Sequence, residues 1–128
     1  MPPRDLVLVV DDEEPMLDMI AAMLEAAGFQ SLSVMDGPSA VRTFEERRQD
    51  LCCILLDRNL PGMDGLDVYR AIRGVDPDLP VVFCSGYPCD ERVRAATGDR
   101  RVPYVTKPFR YAELVRALRD ALDPHSPA

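Results

Sequence analysis

The sequence predicts a doubly wound α/β domain, and three observations carry that reading. Apolar runs at Leu6–Val10, Leu51–Leu56 and Pro80–Cys84 are uninterrupted by polar residues, as expected of strands covered on both faces. The segments between them place apolar residues at helical spacing. Strand and helix patterns alternate over all 128 residues, which implies one parallel sheet with helices on both sides.

The first strand, Leu6 to Val10, ends abruptly in Asp11, Asp12, Glu13 and Glu14. From Met16 the apolar stripe runs through Ile20, Met23, Leu24 and Ala27, and Gly28 closes the helix. Leu32 to Val34 forms a short second strand. Gly37-Pro38 opens a second helix where the missing proline N–H costs least, with Val41 and Phe44 on one face. Leu51 to Leu56 is the third strand and delivers Asp57 at its end. Arg58 to Gly65 is rich in turn residues and reads as a loop into a third helix carrying Leu66, Tyr69 and Ile72. Pro80 to Cys84 is the fourth strand, ended by Ser85-Gly86-Tyr87-Pro88.

Asp90 is suited to cap a fourth helix reaching Thr97, with Gly98 as its stop. Only Val93, Ala95 and Ala96 are apolar there, so this helix is expected to be the least firmly packed. Val102 to Val105 supplies the last strand; Pro103 within it predicts a sheet edge. The final helix carries Leu114, Leu118, Ala121 and Leu122. Residues 1–5 read as a lead, 6–122 as the domain and 123–128 as a tail. Right-handed crossovers lead to the flavodoxin-like strand order 2-1-3-4-5, whose ligands sit outside the strand carboxyl ends, between strands 1 and 3. Asp11, Asp12 and Asp57 fall at that point.

A composition of 47% hydrophobic and 29% charged residues is that of a globular chain rather than a disordered one. No stretch reaches the roughly 20 apolar residues of a membrane span, and the start of the chain lacks signal-peptide character, so a cytoplasmic protein is expected. The four cysteines match no zinc or CxxC spacing and read as reduced thiols. A formal charge of -7 opposes attraction to nucleic-acid phosphates, which points to protein partners.

Three carboxylates converging at two strand ends repel and raise one another's pKa unless a cation joins them. All-oxygen ligands suit Mg²⁺, which would keep Asp57 ionised as a nucleophile toward phosphorus. Two further strand ends add Ser85, a hydroxyl, and Lys107, an ammonium; both are partners for phosphoryl oxygens. Lys107 is the sole lysine among fifteen Lys and Arg residues. A compact ammonium fits where a planar guanidinium would crowd.

VVDDEE (Val9 to Glu14), LLDRNLPGMDG (Leu55 to Gly65), CSGY (Cys84 to Tyr87) and YVTKPF (Tyr104 to Phe109) together resemble the response-regulator receiver domain family, over nearly the whole chain. The resemblance implies a domain that takes a phosphoryl group from a histidine kinase phosphohistidine, or from a histidine phosphotransfer protein, onto Asp57. It implies Mg²⁺, with Mn²⁺ as a substitute. Asp12 would be the direct metal ligand and Asp11 would act partly through water. Asp57 and the Asn59 backbone carbonyl would also ligate, and the Asn59 side chain would face attacking water. Ser85 and Lys107 would hold the phosphoryl group, with Pro108 following a cis peptide that aims the lysine. Ser85 and Tyr104 would form the switch that reshapes the face of helix 4, strand 5 and helix 5. Dimerisation is left open, as is the output: a separate protein, an attached domain, or the frame of a hybrid histidine kinase.

Two residues depart from the family pattern. Arg110 stands where many relatives have an Asp or Ser cap, which is expected to weaken the last helix's start, and Arg58 replaces a common hydrophobic residue after the acceptor. Rival readings are a haloacid-dehalogenase-like phosphohydrolase, disfavoured because its Asp-x-Asp motif and cap insertion are missing, and a degenerate receiver acting as a scaffold. Glu13 and Glu14 read as solvated first-turn acids, and His125 as a tail residue rather than a phosphodonor. Arg92, Arg94, Arg100 and Arg101 read equally as a partner-facing patch or a solvated surface.

Overall fold

The strands stand in the order β2-β1-β3-β4-β5, all parallel, in a computed structural model that describes residues 5–89, 91–98 and 102–123. They are β1 (Leu6–Val10), β2 (Gln30–Val34), β3 (Leu51–Asp57), β4 (Val81–Ser85) and β5 (Tyr104–Thr106). Five helices alternate with them: α1 (Glu14–Ala26), α2 (Gly37–Arg47), α3 (Gly65–Val75), α4 (Glu91–Thr97) and α5 (Tyr111–Leu122). The doubly wound flavodoxin-like arrangement is therefore the observed one. Asp90, Arg100, Arg101 and His125 lie outside the described residues.

The sheet divides two apolar layers. On one side Val7, Val9, Leu55 and Val82 pack with Leu17, Ile20 and Leu24 of α1 and Leu114 and Leu118 of α5. On the other, Leu8, Ile54, Leu56 and Phe83 pack with Phe44 of α2, Leu66, Tyr69 and Ile72 of α3, and Val93 of α4. Burying such side chains stabilises by about 1.5–3 kcal/mol each before the entropy of ordering them is subtracted. β1 and β4 are buried along their whole length because they have a strand on each side and a helix layer on each face.

Several boundaries differ from the sequence reading. β2 begins at Gln30, whose N–H bonds the Asp5 carbonyl; pairing with β1 recruits polar residues that alternation alone does not mark. β4 runs Val81–Ser85, one residue later than predicted. β5 starts only at Tyr104, because Pro103 lacks a donor and contributes just its carbonyl, to the Phe83 N–H. The β1–β3 register also skips Cys52, pairing Leu6 with Leu51 and Val7 with Cys53. This bulge turns Cys52 and Cys53 toward the same α1/α5 layer.

Helix ends follow their local chemistry. Gly28 has φ 91°, and the Gly28 and Phe29 N–H groups close α1 onto the Glu25 and Leu24 carbonyls as a Schellman motif. Asp36 caps α2 and Asp64 caps α3. The Arg110 side chain has no acceptor to offer α5; Glu113 Oε1 instead accepts from the Arg110 N–H at 3.0 Å, so half a capping box survives. All four cysteines are free thiols, and burial pushes the Cys84 thiol up to about 12 and that of Cys53 further still. No helix among the described residues is long and apolar enough to cross a membrane.

Candidate functional site

Parallel strands end together, so the residues that follow them share one edge of the sheet. Asp11 follows β1, Asp57 closes β3, Ser85 closes β4 and Lys107 follows β5. Lys107 reaches across β4: its Nζ donates to Asp11 Oδ2 at 2.7 Å and to Asp57 Oδ2 at 3.1 Å. Asp11 and Asp57 are only 1% and 4% exposed, so these are ion pairs screened from water rather than surface contacts. The remaining oxygens are also held, Asp57 Oδ1 by the Asn59 N–H at 3.0 Å and Asp11 Oδ1 by the Glu13 N–H at 2.9 Å.

Burial raises the Asp57 pKa, and the nearby Asp11 charge adds to this; the Asn59 N–H and Lys107 oppose it without cancelling it. For Lys107, burial works against the ammonium, but the hydrogen bond to Asp11 and the charges of Asp57 and Asp11 outweigh it and hold its pKa above the ordinary value. Asp12 is exposed, and each of Asp11, Asp12 and Asp57 offers an oxygen within 4.8 Å of the others. Such a set of carboxylate oxygens, partly buried and carrying surplus negative charge, fits a hard divalent cation.

Ser85 and Asn59 meet beside this cluster. The buried Ser85 hydroxyl donates to Asn59 Oδ1 at 3.0 Å and accepts from the Tyr87 N–H at 3.1 Å. The Tyr104 hydroxyl donates to the Tyr87 carbonyl at 2.7 Å, and its ring packs 6.3 Å from that of Phe83. Tyr87, itself 65% exposed, thus links the two residues through its backbone. The Lys107–Pro108 peptide is cis, and the Lys107 N–H bonds the Ser85 carbonyl at 2.7 Å.

Sequence reasoning read Gly37 as a helix opener, Gly65 as a loop residue and Tyr87 as a turn residue, and gave none of them a part in the site. A Cβ on Gly65 would lie 2.4 Å from the Asp57 carbonyl oxygen and 2.7 Å from Arg58 Cα, so only glycine lets α3 start against the backbone of Asp57. Its place in the LPGMDG string was the available signal. Arg58 is only 8% exposed despite its charge, and its carbonyl accepts from the Gly65 N–H at 2.9 Å.

Residues 7–119 match the family described as response regulator receiver domain. The DNA-binding response regulator MtrA of Mycolicibacterium smegmatis is 36% identical over 119 residues, covering 93% of this chain and 51% of MtrA. The transcriptional regulatory protein PrrA of Mycobacterium tuberculosis is 38% identical over 120 residues, covering 91% of this chain and 49% of PrrA. The chain thus spans about half the length of these curated relatives. Among solved structures, the receiver domain of the Pseudomonas aeruginosa sensor histidine kinase PA1611, with magnesium coordinated in its active-site cleft, superposes with a TM-score of 0.80 at 30% identity, covering 94% of this chain and 98% of that one. From fold, cleft and relatives together, the chain belongs to the response regulator receiver domain family, the signalling receivers of two-component systems.

Proposed function

We propose that the chain accepts a phosphoryl group on Asp57 from a histidine kinase or a histidine phosphotransfer protein. The observation that carries this reading is the buried ion-paired triad in which Lys107 bridges Asp11 and Asp57 at the carboxyl edge of the sheet. In the transfer an Asp57 oxygen bonds to phosphorus as the phosphorus–nitrogen bond breaks. The donor imidazole leaves with that electron pair and takes up a proton. Lys107 then pairs with a phosphoryl oxygen, and the Ser85 hydroxyl turns from Asn59 to donate to another.

Asp11, Asp12, Asp57 and the backbone carbonyl of Asn59 would hold Mg²⁺, with Mn²⁺ as a substitute. When bound, the ion supplies positive charge that keeps the carboxylates ionised and offsets charge on the transferring group. The Asn59 side chain borders the path of a water that would later hydrolyse the acyl phosphate. The only chemistry catalysed in this reading is the domain's own phosphorylation and dephosphorylation.

Ser85 and Tyr104 form the switch. Phosphorylation adds roughly two negative charges beside Lys107. When Ser85 moves to meet them, the Tyr87 N–H loses its acceptor, and the carbonyl holding the Tyr104 hydroxyl shifts with it. The altered surface is that of α4, β5 and α5, read by an attached domain or a separate downstream protein. We take residues 6–122 as the receiver unit, working in the cytoplasm, where its free thiols match a reducing compartment.

Incubation with a small phosphodonor and Mg²⁺ is expected to label the wild type. Neither the Asp57→Asn variant nor the wild type after metal chelation should be labelled. Labelling retained by Asp57→Asn would overturn the assignment. An unlabelled wild type would favour the scaffold reading.

A further inference from the structure

Gly37 opens α2, twenty residues ahead of the acceptor strand's end and outside the cleft, yet it is buried. Its φ is not positive, so backbone conformation does not require glycine there. Contact does: a Cβ at position 37 would lie 2.7 Å from Met63 Cβ, 2.8 Å from its Sδ and 2.9 Å from its Cγ. Rotating the thioether moves Sδ and Cγ away. It does not move Cβ, which is fixed to the backbone of the β3–α3 loop. A side chain at 37 therefore displaces the loop itself.

That loop has few other ways to yield. Its far end is fastened by the Gly65 N–H on the Arg58 carbonyl and by the Asp64 carboxylate on the Leu66 N–H at 2.9 Å. Its near end is Asn59, whose N–H is on Asp57 Oδ1 and whose Oδ1 accepts from Ser85. Met63 lies between these anchors, in the wall that also contains Asp12, Arg58 and Asn59. A push on Met63 is passed to Asn59 through Leu60, Pro61 and Gly62.

We propose that Gly37 is a positioning residue for Asn59: the α2 N-terminus receives Met63 and thereby sets where the β3–α3 loop presents its groups to the cleft. The inference rests on the reading of Asn59 and Asp57 as metal-holding groups, and its test separates the two. Mg²⁺ affinity is measured by calorimetry for wild type, Gly37→Ala, Met63→Gly and the double variant. The Asn59 amide resonance is recorded for each without metal.

Gly37→Ala is expected to weaken Mg²⁺ binding roughly three- to tenfold, because displacements of well under 1 Å degrade a preorganised site. It should also shift the Asn59 amide. In the Met63→Gly background, where the obstructing Cβ is gone, the same Gly37→Ala change should cost less than about twofold and leave Asn59 where Met63→Gly has it. Gly74→Ala, at a glycine with open space around it, controls for the general effect of replacing helical glycine.

A Gly37→Ala variant that melts earlier but keeps wild-type Asn59 resonance and Mg²⁺ affinity would make Gly37 a packing residue only and overturn the proposal. Equal effects of Gly37→Ala in both backgrounds would overturn it too. A wild type that binds no Mg²⁺ would remove the site reading. The metal-free Asn59 resonance would still decide whether Gly37 acts through Met63.

Discussion

Helix α3 buries Leu66, Val68, Tyr69 and Ile72, whereas α4, on the same face of the sheet, buries Val93 alone among its side chains. The connections leading into them differ in the same way. The β3–α3 loop is held by backbone contact at Gly65, by the Asp64 cap and by Met63 against α2. The C-terminus of α3 is held by Arg73, which lies 5.0 Å over the Tyr69 ring and donates to the Leu79 carbonyl. The β4–α4 connection shows polar links that one rotation can break, Ser85 to Asn59 and Tyr104 to Tyr87. An exposed Arg92–Asp64 pair at 3.4 Å ties α4 to α3 and is worth well under about 1 kcal/mol. One side of the site is held by packing and backbone contact, the other by a few hydrogen bonds. In the proposed function the second side is the one that moves, as segments that respond to a signal are drawn from the weakly held parts of a fold.

The contrast is broken most severely at Gly65. Gly65→Ala forces a methyl against the backbone of Asp57 and Arg58, and a loss of about 3 kcal/mol or more is expected in denaturant unfolding. A loss below about 1 kcal/mol would show that the clamped wall can yield. Truncations compare the two helices directly. Ile72→Ala in α3 should cost about 3 kcal/mol, while Val93→Ala in α4 should cost about 1.5 kcal/mol or less. Native-state amide exchange should likewise open α4 well before α3. Comparable protection of the two helices would remove the distinction.

The smallest effect concerns pH. The Ser39 N–H at 2.7 Å and then the Ser39 hydroxyl at 3.0 Å hold the Asp36 carboxyl below its ordinary 3.8. A pKa lower in the folded than in the unfolded chain means stability that is present above 3.8 and lost as pH falls through the folded value. Asp36→Asn keeps an α2 cap that does not titrate. Subtracting its acid unfolding curve from that of wild type should therefore leave a small loss confined to pH below about 4. A difference centred near neutrality would assign the effect to another group.

Much of this molecule is legible without its tertiary structure, and the reason is local. A buried parallel strand must be apolar along its length, so β1, β3 and β4 announce themselves, and charge appears where each leaves the core. That made Asp11, Asp12, Asp57 and Ser85 readable as strand-end residues, and the lone lysine supplied the cation. The thin apolar stripe of α4 foretold its single buried residue. Non-local distances were not legible. Pairing with β1 extended β2 through polar residues, and a bulge at Cys52 put two successive side chains of β3 on one face. Arg58 stands where a hydrophobic residue is common in the family, and only the structure shows it buried. The helix α5 cap lost at Arg110 was partly replaced by Glu113, because a carboxylate one turn on can fold back to the free N–H. Gly37 and Gly65 look like ordinary turn formers, and only packing reveals that each is glycine because another segment's atoms occupy the place of its Cβ. Strand ends and charges follow from the pattern along the chain; close approaches between segments follow from how the layers meet, which no spacing in one dimension records.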